Sequence, residues 1–146
     1  MTNIFLLDYE TRLRNWADLR NKIKNQPIKT QCIEVDKFWQ QVPLQNHYLH
    51  IDYIRDWPDP WTLISDNTFC PYARALGMIY TLLLVGNNSI ELVEAKDDNS
   101  NEVVLVLVDN AKYLLNYWPD MVVNNDIKNF VITRSLDISS LYNKIG

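Results

Sequence analysis

The chain has 146 residues, 47% hydrophobic and 22% charged, with three glycines and a formal net charge of −4. That length suits one domain around one core, and the composition excludes a disordered tract, a long flexible linker or a fibrous repeat. The acidic balance lacks the basic stripe that phosphate neutralisation requires, so no nucleic-acid partner is expected.

The N-terminus, Met-Thr-Asn-Ile-Phe-Leu-Leu-Asp, has neither a basic leader nor an apolar run long enough for a signal peptide. No apolar stretch reaches the length of a membrane span, so no membrane partner is expected and the product stays where it is made. Asp8 caps a first helix over Tyr9 to Lys24, with Glu10 in its first turn, Lys22 and Lys24 in its last, and Pro27 beyond it. Its cations Arg12, Arg14, Arg20, Lys22 and Lys24 alternate with Glu10 and Asp18 and read as a solvated face. Leu13, Trp16, Leu19 or Arg20, and Ile23 recur at three to four residues and form an apolar stripe.

Thr30 to Val35 reads as a short strand, after which Asp36 caps a helical turn carrying Phe38 and Trp39 that Pro43 ends. Leu44 to Arg55 shows no period and reads as loop with a helical turn near Tyr53. In Trp57-Pro58-Asp59-Pro60-Trp61 the prolines stiffen the backbone, and Asp59 or Pro60 opens a short helix through Ile64.

Pro71 suits a first helical position, which makes Cys70 the cap or first-turn residue of the most apolar helix in the chain. Ala73, Leu76, Ile79, Tyr80 and Leu83 form one stripe, and Ala75, Met78, Leu82 and Val85 cover most of the rest, leaving Arg74 and Thr81 as its polar face. Gly77 permits a close neighbour, and Gly86 with Asn87 ends the helix.

The period then changes to that of strands. Ile90 to Ala95, Val103 to Val108, Lys112 to Tyr117 and Phe130 to Arg134 are strands, separated by the Asp97-Asp98-Asn99-Ser100 and Asp109-Asn110 turns, and Ser135 or Asp137 starts a terminal helix. The expected architecture is α+β: N-terminal helices and one buried central helix packed on a C-terminal antiparallel meander, in a single domain over residues 1–146.

Cys70 is the residue with a chemical story, because the positive end of a helix favours anions and the thiolate is the nucleophilic form of cysteine. Cys32 and Cys70 lack metal-site spacing and are expected as free thiols. Asn-Thr-Phe-Cys70-Pro-Tyr-Ala-Arg-Ala-Leu-Gly-Met, followed by strands and a hairpin through Lys112-Tyr113-Leu114-Leu115-Asn116, resembles the transglutaminase-like branch of the papain superfamily over about residues 60–118. The resemblance implies a nucleophile at Cys70 and an orienting residue at Asn116. It puts the family's histidine at about Asn101 or Glu102, neither of which has an imidazole. No histidine follows Cys70, so these positions are expected to be vestiges of a triad.

The two histidines, His47 and His50, lie upstream in His-Tyr-Leu-His-Ile-Asp and read as surface or hydrogen-bonded loop residues; either could serve Cys70, or both could bind a metal with Asp52. Phosphate-loop, zinc-protease and calcium-loop patterns are absent, so no metal and no cofactor is expected. Trp57, Trp61 and Trp118 adjoin prolines and are candidates for a protein contact surface.

Size, acidity, abundant asparagine, and the Trp-Pro-Asp-Pro-Trp and Cys-x-x-Ala-x-x-Leu-Gly-Met arrangements are similar to small virion proteins of tailed bacteriophages. The expectation is a non-enzymatic virion component of tail, baseplate or neck, made in the host cytoplasm and present in several copies bound to other structural proteins. Two other readings stand beside it: a thiol hydrolase or amidase using Cys70 with His47 or His50, and a small regulatory protein that binds a host factor.

Overall fold

The computed structural model describes residues 3–45, 48–117, 123–124 and 130–145. Helix α1 spans Tyr9–Ile23 and starts as its sequence requires: the Asp8 carboxylate accepts from the Thr11 N–H at 3.0 Å, satisfying one of the first-turn donors. Trp16, Leu19 and Ile23 are its buried stripe.

Residues 30–35 are helical and not a strand; they belong to helix α2, Ile28–Trp39. The β-rich composition of this segment is overridden by the spacing of its buried residues Gln31, Cys32, Val35, Asp36 and Trp39, which occupy one helical face. Asp36 is therefore an inward-facing residue of the last turns rather than a cap. A 3₁₀ turn covers Ile51–Asp56. Helix α3 spans Pro60–Asp66, with Asp59 accepting from the Thr62 N–H at 2.7 Å.

Helix α4, Pro71–Leu84, lies at the centre, with every residue from Ala75 to Leu82 buried. Its supposed polar face is not polar surface. The Thr81 hydroxyl is fully buried, donates to Gly77 O at 2.7 Å, and accepts from the indole nitrogens of Trp16 at 2.8 Å and Trp39 at 3.0 Å. One hydroxyl thus satisfies two buried indoles and joins α1 and α2 to α4. Gly77 is required beside it, since a methyl group there would lie 2.5 Å from the Trp39 ring.

The sheet contains β1 (Ile90–Lys96), β2 (Glu102–Val108), β3 (Tyr113–Leu115), β4 (Val123–Asn124) and β5 (Val131–Leu136), in the order β4-β3-β2-β1-β5. The described pairings are antiparallel, so the α+β, single-domain expectation stands. The first four strands form the meander, while β5 returns to the far side of β1. Alternation along the strands divides the apolar residues: Ile90, Leu92, Val106 and Val108 pack with the helices, and Val93, Ala95, Leu105, Leu107 and Leu114 form a second cluster.

The terminal helix is a 3₁₀ turn over Ser139–Lys144. The Lys144 ammonium donates to the carbonyls of Arg55 at 2.8 Å and Trp57 at 2.6 Å, so it fixes the chain's C-terminal part against the 51–56 turn. No described helix is long and apolar enough to cross a membrane.

Candidate active site

Local structure delivers Cys70 to the start of α4 in three steps. Asn67, in the left-handed region with φ 52°, ends α3; Phe69 forms a parallel bridge with Leu44; and Cys70 is extended, with Pro71 as the first helical residue. Proline costs nothing at this position because its missing N–H would have had no helical partner. The Leu49 N–H points at the Cys70 sulfur from 3.5 Å. Both cysteines are free, as expected, and both are buried. Burial pushes the Cys32 thiol up to about 12, and the charges of Asp109 and Asp36 add to the shift.

Cys70 is 2% exposed and forms part of the wall of a cavity of about 510 Å³. Tyr72 and Arg74 of α4, Glu94 of β1, Glu102 and Val104 of β2, and Asn116 also line it. Leu49 lines it as well.

Asn116 lies beside the first turn of α4, where the family resemblance places an orienting residue, and its amide is fully engaged. Its Nδ2 donates to Val104 O at 2.8 Å and Pro71 O at 3.2 Å, and its Oδ1 accepts from Arg74 Nε at 2.5 Å. Its backbone N–H donates to the buried Asp36 carboxylate at 2.9 Å, with the residue held at φ 74°. That left-handed conformation suits asparagine far better than a branched residue. Asn116 thus ties β2, β3 and α4 together. Burial pulls the Arg74 guanidinium below its ordinary value, and Asp36 opposes the shift.

The second polar pair is Tyr72 with Glu94. The Tyr72 hydroxyl donates to Glu94 Oε2, and the tyrosine is pushed well above its ordinary value, first by burial and then by that hydrogen bond. Glu94 sits where the β1–β5 register shifts between Glu94 and Ala95, directly opposite Val104 of β2. A bulge of this kind re-aims the side chains beside it.

The positions expected to carry the family's histidine are Asn101, exposed in the turn with its N–H on the Asp97 carboxylate, and Glu102, exposed at the start of β2 and on the cavity rim. His50 faces elsewhere: its Nδ1 accepts from the Asp52 N–H at 3.2 Å, its ring lies 5.2 Å from that of Tyr53, and it does not line the cavity. His47 lies outside the described residues. No three His, Cys, Asp or Glu side chains among the described residues gather as a metal site, so the proposed set with His50 and Asp52 has no support in them.

Of the three tryptophans, Trp57 is 2% exposed and donates its indole N–H to His50 O, so it offers no face to a partner. Trp61 is 40% exposed and meets Trp16 edge-on, while Trp118 lies outside the described residues. Sequence reasoning placed Cys70 and Asn116 but passed over Asp36, Tyr72 and Glu94. The one available signal was an arginine in the first turn of an otherwise apolar helix.

No family model matches the chain, and no curated protein sequence does. Solved structures do. Calcium-bound LapG of Legionella pneumophila superposes with a TM-score of 0.73 over 90% of this chain and 77% of that chain, at 18% identity. A second LapG structure and that of EGTA-treated LapG each give 0.71 over 88% of this chain and 74% of that chain, at 17% identity. LapG is a transglutaminase-like cysteine protease, so the transglutaminase-like fold expected from the sequence is supported. The same matches contradict the expectation of a non-enzymatic virion component, and the bacteriophage and virion association has no support.

Proposed function

We propose that the chain is a thiol-dependent hydrolase of amide bonds with Cys70 as its nucleophile. The observation that carries this reading is the placement of Cys70: it caps the buried core helix and contributes to the wall of a cavity bounded by β1 and β2, in a fold shared with a cysteine protease.

The geometry suits the chemistry. The sulfur attacks a carbonyl carbon, the carbonyl electrons become an oxyanion, and collapse expels the amine and leaves a thioester that water cleaves. The first turn of α4 has backbone N–H groups without helical partners and the positive end of the helix dipole, which favour the oxyanion. Asn116 and Arg74 hold that turn against β2 and β3, so the sulfur and the helix start keep one relative position.

The test uses p-nitrophenyl acetate and a mixed-sequence quenched-fluorescent peptide library. The wild-type protein is expected to show a nitrophenolate burst, an acetyl adduct on Cys70 by mass spectrometry, and peptide cleavage. Cys70→Ser is expected to remove all three while melting within a few degrees of wild type. No adduct on the wild-type thiol, or undiminished cleavage by the serine variant, sinks the reading. His47→Ala and His50→Ala in the same assay test the pairing with an upstream imidazole.

A further inference from the structure

A thiol hydrolase must move protons, and among the described residues no imidazole lines the cavity that holds Cys70. The cavity does hold a hydrogen-bonded phenol and carboxylate. Tyr72, two residues after Cys70 in the first turn of α4, donates to Glu94 across the cavity. Three features hold the pair in place. The Tyr72 ring packs 6.0 Å from the Trp57 indole. The Glu94 carbonyl accepts from the Thr133 hydroxyl at 3.2 Å. Glu94 also stands at the β1–β5 bulge, level with Val104, so it reaches the cavity from one strand beyond β2.

We propose that Tyr72 and Glu94 form the proton relay of this site, Glu94 as the terminal acceptor and the Tyr72 hydroxyl as the carrier, in place of a histidine on β2. The inference rests on the reading of Cys70 as nucleophile. In acylation the Cys70 thiol proton passes to the Tyr72 oxygen as the phenol's own proton passes to the Glu94 carboxylate. The sulfur–carbon bond forms. The carbon–nitrogen bond then breaks as the proton returns through Tyr72 to the departing nitrogen. In deacylation a water proton takes the same route to Glu94, the resulting hydroxide attacks the thioester, and the proton ends on the Cys70 sulfur as it leaves.

A tyrosine held well above its ordinary value keeps its proton at neutral pH, which a carrier must do. Besides Glu94, the charges bearing on Tyr72 are those of Cys70, which raises it, and of Arg134 on β5, which lowers it.

An activated ester separates the relay from the nucleophile, because the amplitude of its burst counts competent thiols whereas the burst and steady-state rates report the proton transfers. In Glu94→Gln and Tyr72→Phe the burst from p-nitrophenyl acetate is expected to keep an amplitude within about threefold of wild type while its rate falls, because deprotonation of the thiol also runs through the pair. The steady-state rate is expected to fall by about 100-fold, the scale of general acid–base catalysis. Glu94→Asp should recover part of it, and His47→Ala and His50→Ala should leave it within about threefold. Should Glu94→Gln fail to fold, Tyr72→Phe decides the matter, since it removes a single oxygen and keeps the ring on Trp57. Unchanged steady-state turnover in Tyr72→Phe overturns the relay, as does a large loss in either histidine variant. A wild-type protein that shows no burst at all defeats the Cys70 reading itself, a different result.

Discussion

The C-terminal half of α4 and its first turn are parts of one helix with opposite surroundings. Around Gly77 and Thr81 the helix is closed in on all sides, and the Thr81 hydroxyl answers both indole N–H groups that reach it. Around Cys70, Tyr72 and Arg74 the same helix borders a cavity, and its partners are Asn116, Glu94 and the backbone of residue 49. The first environment leaves no room for change. The second is held by side-chain hydrogen bonds that leave space for a reactant. A rigid half anchors the helix so that the other half can present a sulfur without collapsing onto it.

The comparison breaks most severely at Gly77. Gly77→Ala sets a methyl group against the face of Trp39, which is itself locked among Phe5, Phe38 and Phe69. We expect a loss of about 3 kcal/mol, the upper range for overpacking, read from urea denaturation. Thr81→Val keeps the volume but strands two indole donors, and we expect about 2 kcal/mol from the same measurement. The variant should also show a red-edge shift in tryptophan fluorescence. Asn116→Ala, in contrast, is expected to depress thiol chemistry more than stability. A result in which Thr81→Val is neutral while Asn116→Ala unfolds the protein would reverse the proposed division of labour.

The smallest effect sharpens the contrast between the two thiols. Cys32 titrates at about 12 in the folded chain against 9.0 for the ordinary thiol. The unfolded chain therefore loses this proton first, and the buried thiol's contribution to stability, complete below 9.0, is lost as pH rises towards 12. The loss should be on the order of 1 kcal/mol one pH unit above the unfolded value, and Cys32→Ala should flatten that slope in alkaline denaturation.

Elements that declare themselves locally were legible in the sequence. Asp8 before an amphipathic run, Pro71 after Cys70, and the alternation through Val103 to Val108 fixed α1, α4 and β2 to within a residue or two. What failed was non-local. Asp36 looked like a cap because its real partner, the backbone of Asn116, is 80 residues away. Thr81 looked like exposed polar surface because the two indoles it serves come from α1 and α2. The site divides in the same way. Cys70 could be found from a proline, but Glu94 became visible only once β1 was paired on both sides and its bulge brought the carboxylate to the Tyr72 hydroxyl. The virion reading failed for a related reason: composition and short motifs carry no information about which residues share a cavity.

The return of β5 to the far side of β1 has a consequence for biosynthesis. The ribosome finishes Cys70 and the helix that carries it well before it makes Thr133 and Arg134, which hold the outer edge of the cleft and press on the Tyr72–Glu94 pair. Pairings between such distant segments close late in folding. A nascent chain that already carries its cysteine therefore still lacks the strand that completes the pocket, so the cavity takes its final form only after β5 has been made and paired.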